Sequence, residues 1–249
     1  MNRRSHLHNA LGFVLGLAFL PWAMAQEAAP QAALPSAESI LDRYVEVTGG
    51  AAAYKSRTSE VTTGTLTIDP PGLTGQLRFS VKPALFRATI ELPGVGVIDR
   101  GVKDGVAWES NPIMGPRIVE GFEGKLMVAS ALPGATGRWR EVYSAVNATG
   151  IEDVNGKPAY RVVHALGTDG SLTGLYAVDS GLLVKLVIGP GIEQIYEEYA
   201  QRGGVLGPTR VVTVAPGQRS VITFTSLETN VEIPDERFAP PESVQALLK

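Results

Sequence analysis

The sequence predicts a mainly β protein: one large antiparallel sheet or barrel with two main helical segments. Three observations favour this fold class. From Ser59 onward, apolar residues recur at every second position, as in a strand with one buried face. Two segments, near Ser36 and Gly121, instead carry apolar residues at helical spacing. Gly, Pro, Asn and Asp turns divide the rest into roughly ten to twelve strands, a density typical of a single sheet or barrel.

The first residues have the order of a secretory signal peptide. Arg3 and Arg4 precede an apolar run from Ala10 to Leu20, and the small residues of Ala23-Met24-Ala25 follow it. A membrane anchor is the alternative reading, but the run is far shorter than the ~20 apolar residues that a spanning helix needs. We therefore predict export, with cleavage after Ala25.

Composition limits the remaining classes. The chain has no cysteine, which excludes disulfides, thiolate metal sites, a cysteine nucleophile and a lipid-modified N-terminal cysteine. Loss of residues 1–25 removes two of the 22 basic residues, and the remaining 20 against 25 acidic residues give a net charge of −5. This modest acidity argues against a nucleic-acid partner. Residues 26–34 are predicted to be a flexible leader, and residues 35–249 a single domain with enough chain for a core.

The first predicted element is an amphipathic helix. Pro35-Ser36 is a plausible N-terminal cap, and Gly49-Gly50 ends the segment. Ala51–Lys55 can add one more turn before the strands begin. The apolar face consists of Ala37, Ile40, Leu41, Tyr44 and Val45.

The strands that follow are joined by turns of about two to five residues, which favours antiparallel pairing. An exposed-looking Trp108 lies in the last strand of the first half, and the Pro- and Gly-broken loop Asn111–Arg117 comes after it. The predicted strand segments of this half are Thr63–Ile68, Leu77–Val81, Phe86–Leu92, Gly94–Val102 and Val106–Ser110.

A helical patch over Gly121–Leu132 separates the two halves, and Trp139–Val146 fits a short helix or a strand equally well. A short terminal helix is predicted over Glu242–Leu248. The strand segments of the second half are Ala159–Ala165, Leu172–Val178, Leu182–Ile188, Ile192–Tyr199, Pro208–Val214 and Ser220–Leu227.

Catalytic residue types are sparse. His164 is the only histidine after the signal segment, and its neighbours Val162, Val163 and Ala165 supply neither a nucleophile nor a carboxylate. The Gly-x-Ser-x-Gly pattern of a nucleophile elbow is absent. We expect a strand histidine that makes a structural hydrogen bond.

Metal and cofactor signals are equally weak. The densest acidic group, Glu193, Glu197 and Glu198, lacks the spacing of a calcium loop and is predicted to be a solvated strand face. The Gly94-Val-Gly96 stretch lacks the third glycine and following helix of a dinucleotide loop. We expect no cofactor and no metal.

Apolar and aromatic residues on the consecutive strands and the helical patch carry more information. Most of them would simply be core. A sheet of ten or more strands tends to curl, however, and a curled sheet covered by helices can enclose an apolar cavity. The candidate cavity residues are Phe79, Phe86, Ile90, Leu92, Trp108, Phe122, Leu126, Met127 and Leu132.

Taken in order, several stretches resemble the bacterial outer-membrane lipoprotein-sorting proteins of the LolA/LolB-like superfamily. They cover nearly all of the chain after the signal segment. The stretches are Glu38–Gly50, Asp104–Pro112, Gly150–Val162, Leu175–Leu186, Tyr196–Val212 and Leu227–Pro241.

The resemblance implies an incomplete β-barrel: a strongly curved antiparallel sheet with helices over an apolar cavity. It also implies a periplasmic location, lipids or lipoprotein acyl chains as partners, and no enzymatic activity or cofactor. The chain departs from the family in two respects, because it lacks the N-terminal cysteine of the anchored receptor type and exceeds the compact carrier type in length.

The leading hypothesis is a periplasmic, non-enzymatic carrier of a lipid, a lipoprotein acyl chain or a similar hydrophobic ligand. The alternative is a protein-interaction module with the same fold and a filled core, which would contact a periplasmic or membrane partner through Asn111–Arg117. A third hypothesis, an esterase- or peptidase-like enzyme, requires a serine and a carboxylate within reach of His164.

Overall fold

The computed structural model describes residues 33–248. The predicted signal peptide and most of the predicted leader lie outside these residues. The helices are α1 (Ala37–Val47), α2 (Ala51–Lys55), α3 (Gly121–Ala129), α4 (Trp139–Val142) and α5 (Glu242–Gln245), with one-turn 3-10 helices at Ala135–Gly137 and Asp235–Phe238. The strands are β1 (Glu60–Asp69), β2 (Leu73–Lys82), β3 (Leu85–Leu92), β4 (Gly96–Lys103), β5 (Val106–Asn111), β6 (Gly115–Val119), β7 (Ala145–Val154), β8 (Lys157–Ala165), β9 (Ser171–Ala177), β10 (Leu183–Gly189), β11 (Ile192–Arg202), β12 (Val205–Ala215) and β13 (Gln218–Thr229).

All thirteen described strands belong to one sheet, in the order β6-β5-β4-β3-β2-β1-β13-β12-β11-β10-β9-β8-β7. Every neighbouring pair is antiparallel. Each half of the sheet is a meander, and the two meanders meet where β1 pairs with β13. The edge strands β6 and β7 do not pair with each other, so the sheet is open. The mainly β prediction is confirmed.

Strand β6 corrects the predicted loop over Asn111–Arg117. Only the turn between Asn111 and Gly115 is a loop, and Gly115–Val119 pairs with β5. Pro116 lies within this strand, opposite Ser110. A strand can hold a proline where the proline needs no ladder hydrogen bond, and β6 meets this condition because it is an edge strand.

Helix α1 forms where it was predicted. The Ser36 hydroxyl accepts a hydrogen bond from the backbone N–H of Ser39 at 3.2 Å, which caps the first turn. The predicted apolar face is buried, and it packs with Val162 of β8 and Tyr176 of β9. The helix therefore covers the half of the sheet that contains β7 to β10.

Helix α3 covers the other half, where Met127 packs with Val102, Ala107 and Val119. It ends at Ala129, three residues before the predicted Leu132, and the Ser130 hydroxyl donates to the carbonyl of Leu126 at 3.0 Å. The chain thus crosses from edge strand β6 to edge strand β7 through helical structure.

The structure also decides the ambiguous segment before β7 and shows a shorter C-terminal helix than predicted. The ambiguous segment Trp139–Val146 divides into α4 and the start of β7 at Ala145. The terminal helix is shorter than predicted and ends at Gln245. None of the helices in residues 33–248 has the length and hydrophobicity needed to cross a membrane.

Trp108 is fully buried, at 0% exposure, which corrects its predicted exposure. Directly opposed residues of neighbouring strands share a face of the sheet. Trp108 opposes Gly101, which opposes Arg87, whereas the neighbouring Ala107 belongs to the row of Phe86. The indole therefore lies on the face opposite to Phe86, the face on which the Arg87 guanidinium donates to the Arg237 carbonyl of the C-terminal segment at 2.8 Å. A Cβ atom on Gly101 would lie 2.4 Å from the indole, so the absence of a side chain there makes room for it.

Candidate functional site

A cavity of about 420 Å³ lies between the sheet and the helical cover. This volume falls within the range of roughly 300–1,000 Å³ for small-molecule sites. Its lining residues come from α1, α2, the segment after α3, and strands β1 to β3 and β10 to β13: Tyr44, Tyr54, Arg57, Glu60, Thr62, Phe79, Val81, Phe86, Ser130, Leu132, Ala135, Thr136, Leu183, Tyr196, Arg202, Val205, Leu206, Gly207, Pro208, Phe224, Ser226 and Leu227.

The lining demonstrates that the sheet curves. Phe86 lies on β3 and Leu183 on β10, six strand positions apart in the sheet, yet both line one cavity. In a flat sheet, strands that far apart would be separated by roughly 29 Å, at about 4.8 Å per strand. The face that carries Phe86 is therefore concave.

The predicted cavity residues divide between several places. Phe79, Phe86 and Leu132 line the cavity, where Phe79 lies 6.3 Å from Phe86 and 6.3 Å from Phe224 between ring centroids. The other six predicted residues are outside its lining. Trp108 lies on the opposite face, Met127 fills the core under α3, Leu92 lies against Gly75, and Phe122 lies beside Gly170; Ile90 and Leu126 are half-buried elsewhere.

Sequence reasoning missed the tyrosines of the wall. The Tyr54 hydroxyl donates to Thr48 Oγ1 at 2.8 Å, and the Tyr196 hydroxyl donates to Gln194 Oε1 at 2.9 Å. Burial raises the pKa of Tyr44, Tyr54 and Tyr196 above the ordinary tyrosine value. These phenols are therefore neutral at physiological pH, and they present ring surface to the cavity.

Three charged residues stand in the lining. Arg57 is 6% exposed; it forms an ion pair with Glu60, and its Nη2 donates to the carbonyl of Gly203 at 3.0 Å. Arg202 precedes Gly203 at the end of β11, so the β11–β12 turn brings the two guanidinium-bearing residues to the same part of the cavity. Arg202 Nη1 and Arg57 Nε are buried without a hydrogen-bond partner in the described part of the chain.

A charge network fastens α3 to the sheet. Glu109 of β5 is 3% exposed and contacts Arg100 at 2.7 Å and Arg117 at 3.2 Å. Both arginines also pair with Glu123 in the first turn of α3, Arg117 at 2.9 Å. Burial raises the pKa of Glu123, but the Arg117 and Arg100 guanidiniums outweigh it, so that the pKa is lowered overall. This network ties the helical cover to three strands.

His164 sits in an aromatic pocket away from the cavity lining. Its ring centroid lies 4.6 Å from that of Tyr143, and its Nε2 is 3.4 Å from the Tyr176 hydroxyl. Burial lowers the pKa of His164 to about 4, so the imidazole is neutral at physiological pH. Across residues 33–248 no hydrogen bond joins it to a serine or a carboxylate. The contacts are those of a structural histidine.

The acidic group on β11 forms cross-strand ion pairs. Glu193 contacts Lys185 at 2.8 Å, and Glu197 contacts Arg210 at 2.7 Å, while Glu198 is exposed. Among the residues that the structure describes, no three His, Cys, Asp or Glu side chains are grouped as a metal site would require.

An open antiparallel sheet that curves around an apolar cavity under helices defines the architectural class of this protein. No family model and no curated protein sequence matches the chain. Solved structures do match it, and they have the LolA-like fold.

A DUF1329 family protein from Desulfovibrio piger superposes with a TM-score of 0.56 at 13% identity, over 82% of this chain and 97% of that one. A LolA superfamily protein from Nitrosomonas europaea gives 0.56 at 15% identity, over 83% and 99%. A domain from Vibrio parahaemolyticus assigned to outer membrane lipoprotein sorting gives 0.54 at 10% identity, over 81% and 97%. Identities this low show the fold alone, and they confirm the fold expected from the resemblance.

Proposed function

We propose that this protein is a periplasmic, non-enzymatic carrier of a lipid, a lipoprotein acyl chain or a similar hydrophobic ligand. The cavity under the helical cover carries this proposal. It is lined by rings and aliphatic side chains from both halves of the sheet, and its volume suits a ligand. Removing an acyl chain from water into such a wall is favourable by about 0.8 kcal/mol per CH₂.

The structural relatives add support. The Nitrosomonas europaea protein belongs to the LolA superfamily, and the Vibrio parahaemolyticus domain is assigned to lipoprotein sorting. A related role for this chain would require release as well as binding. The segment from Ser130 to Thr136 contributes to the cavity wall and follows α3 directly, so displacement of α3 by a partner would open the cavity.

Export gives a first testable prediction. We expect the mature protein to begin at Gln26 and to contain 224 of the 249 residues. Intact-mass measurement and N-terminal sequencing of protein from the periplasmic fraction check this. A chain that keeps residues 1–25 and stays with the membrane fraction would contradict cleavage. It would favour the alternative interpretation, in which the N-terminal apolar run anchors the protein in the membrane.

A second prediction tests cavity binding. Thr62 of β1 lines the cavity opposite Phe79, whereas Thr67 of the same strand is exposed. We expect Thr62→Trp to reduce uptake of a fluorescent fatty acid at least about tenfold, because the indole occupies space that the acyl chain needs. Thr67→Trp, the same substitution on the same strand, should bind like the unmodified protein.

Native mass spectrometry of protein purified from periplasm, followed by solvent extraction, complements the uptake assay. A stoichiometric lipid in the unmodified protein and its loss in Thr62→Trp are the expected results. Equal uptake by the unmodified protein, Thr62→Trp and Thr67→Trp would show that the ligand does not bind in this cavity. An unmodified protein that carries no lipid and takes up no fatty acid would favour the protein-interaction role described below.

A protein-interaction role is the second candidate, and the β5–β6 hairpin favours it. Ile113 and Met114 at its tip are 81% and 66% exposed, the two most exposed of the large apolar residues in the described chain. An apolar hairpin tip of this kind suits contact with a partner. Under this proposal Ile113→Ser with Met114→Ser weakens partner capture from periplasm and leaves lipid content unchanged.

A further inference from the structure

The cavity contains a positive charge that its own wall does not neutralise. Its only charged lining residues are Arg57, Glu60 and Arg202. Glu60 pairs with Arg57, and in residues 33–248 no carboxylate lies within 4.0 Å of Arg202. The cavity wall therefore carries a net charge of about +1, located at Arg202.

The Arg202 guanidinium is also short of hydrogen-bond partners. Its Nη1 is buried and has none in the described part of the chain. A buried, unpartnered polar group costs free energy, and the cost is larger when the group is charged. A ligand that supplies an anionic acceptor would recover this cost, and a neutral ligand would not.

Specific hydrogen bonds fix the residues around Arg202. Arg57 is held in place by Glu60 and by the Gly203 carbonyl, on the residue next to Arg202. Arg57 Nε is also buried without a partner. Two guanidiniums therefore stand at the β11–β12 turn, and a planar guanidinium matches the geometry of a carboxylate or a phosphate.

We propose that the ligand is an amphiphile with an anionic headgroup, a carboxylate or a phosphate, which binds Arg202 while its acyl chain lies against Phe79, Phe86 and Phe224. This inference rests on the proposed carrier function and names the ligand class for the same cavity. A hydrogen bond to a charged group is stronger than one between neutral groups, so the headgroup should improve affinity by roughly tenfold or more.

The test compares ligands of equal chain length by displacement of a fluorescent fatty acid. Dodecanoate and dodecyl phosphate carry the anion, and dodecanol lacks it. Acetate and inorganic phosphate supply the anion without the chain, and they should displace nothing. We expect both anionic amphiphiles to bind at least about tenfold more tightly than dodecanol.

Variants then assign the preference to one residue. Arg202→Met should abolish the preference while dodecanol binds as before, and Arg202→Lys should restore part of it by keeping the charge. The control is Arg219→Met, which removes the same charge from an exposed position of β13 outside the cavity. It should keep the full preference.

Each outcome is decisive. Equal affinity for dodecanoate, dodecyl phosphate and dodecanol in the unmodified protein would overturn the anionic headgroup and leave the carrier function standing. Displacement by acetate or inorganic phosphate alone would indicate a simple anion site and overturn the amphiphile. A preference that survives in Arg202→Met would overturn the role of Arg202. If no amphiphile binds, the proposed function itself fails.

Discussion

Replacing Trp108 by alanine is expected to lower the free energy of unfolding by about 3–5 kcal/mol, the range for truncating a fully buried aromatic side chain. The indole is 0% exposed and lies against Gly101, with the Arg87 guanidinium 5.9 Å from its ring. The indole lies between the sheet and the C-terminal segment. Truncation to alanine would therefore leave a cavity that the neighbouring side chains cannot fill. Urea denaturation measures the effect, as a lower midpoint at unchanged slope.

Two further variants separate packing from other effects. Trp108→Phe should cost much less, because the Nε1 group that it removes is buried without a partner in the described chain. Ile113→Ala is the exposed control, and it should change stability by less than about 0.5 kcal/mol. If Trp108→Ala lowers the free energy of unfolding no more than this control does, packing of the indole does not stabilise the convex face.

Replacing the buried Asp99 by alanine is expected to cost up to about 3 kcal/mol, because it leaves the partly buried Arg87 guanidinium without its counter-charge. Arg87 donates to the two carboxylate oxygens at 2.9 and 2.6 Å, and the two side chains are 18% and 11% exposed. Arg78 and Arg237 lie in the same polar recess. Burial lowers the pKa of Arg237, and the nearby positive charges of Arg87 and Arg78 lower it further.

The matched control for Asp99 is Glu91→Ala. Glu91 lines the same recess and carries the same charge, but it is exposed and forms no ion pair in the described chain. We expect a change below about 1 kcal/mol for this variant. Comparable losses in both variants would mean that net charge, and not the buried bidentate pair, stabilises this face. Unfolding midpoints measured in low and high salt provide a second readout, since exposed charges are screened and buried pairs much less so.

The sequence was sufficient for the class of fold and for most elements, because alternation and turn residues are local signals. Helix α1 and most strands formed at the predicted positions. Strand β6 was missed because Pro116 argues against a strand unless its place at the sheet edge is known. Whether a strand lies at the edge or in the centre depends on the pairing of the whole sheet, and a local sequence pattern does not contain this information.

Trp108 illustrates a second limit. Alternation places Val106 and Trp108 on one face of β5 and Ala107 on the other, but both faces carry apolar residues. The curvature of the sheet decides which face of β5 is concave. The C-terminal segment, more than a hundred residues away in sequence, decides whether the other face is covered. The pattern therefore identified Trp108 as significant and could not assign its side.

The charged part of the cavity lay beyond sequence reasoning for a related reason. Arg57 stands before β1 and Arg202 before a Gly-Gly turn, and neither belongs to a recognisable motif. The hydrogen bond from Arg57 to the Gly203 carbonyl spans 146 positions of the chain, and it brings Arg57 next to the residue that follows Arg202. Phe79 and Phe86 were found because they lie on adjacent strands, where one alternation pattern predicts both.

The pairing of β1 with β13 has a consequence for biosynthesis. Each meander consists of sequential hairpins, which form quickly because their partners are close in the chain. The seam between them joins residue 60 to residue 229, so it can form only after β13 has been synthesised. The cavity takes its wall from strands on both sides of that seam. A chain cut short before β13 would therefore have no finished compartment, and the capacity to hold a ligand would arise only when β13 pairs with β1.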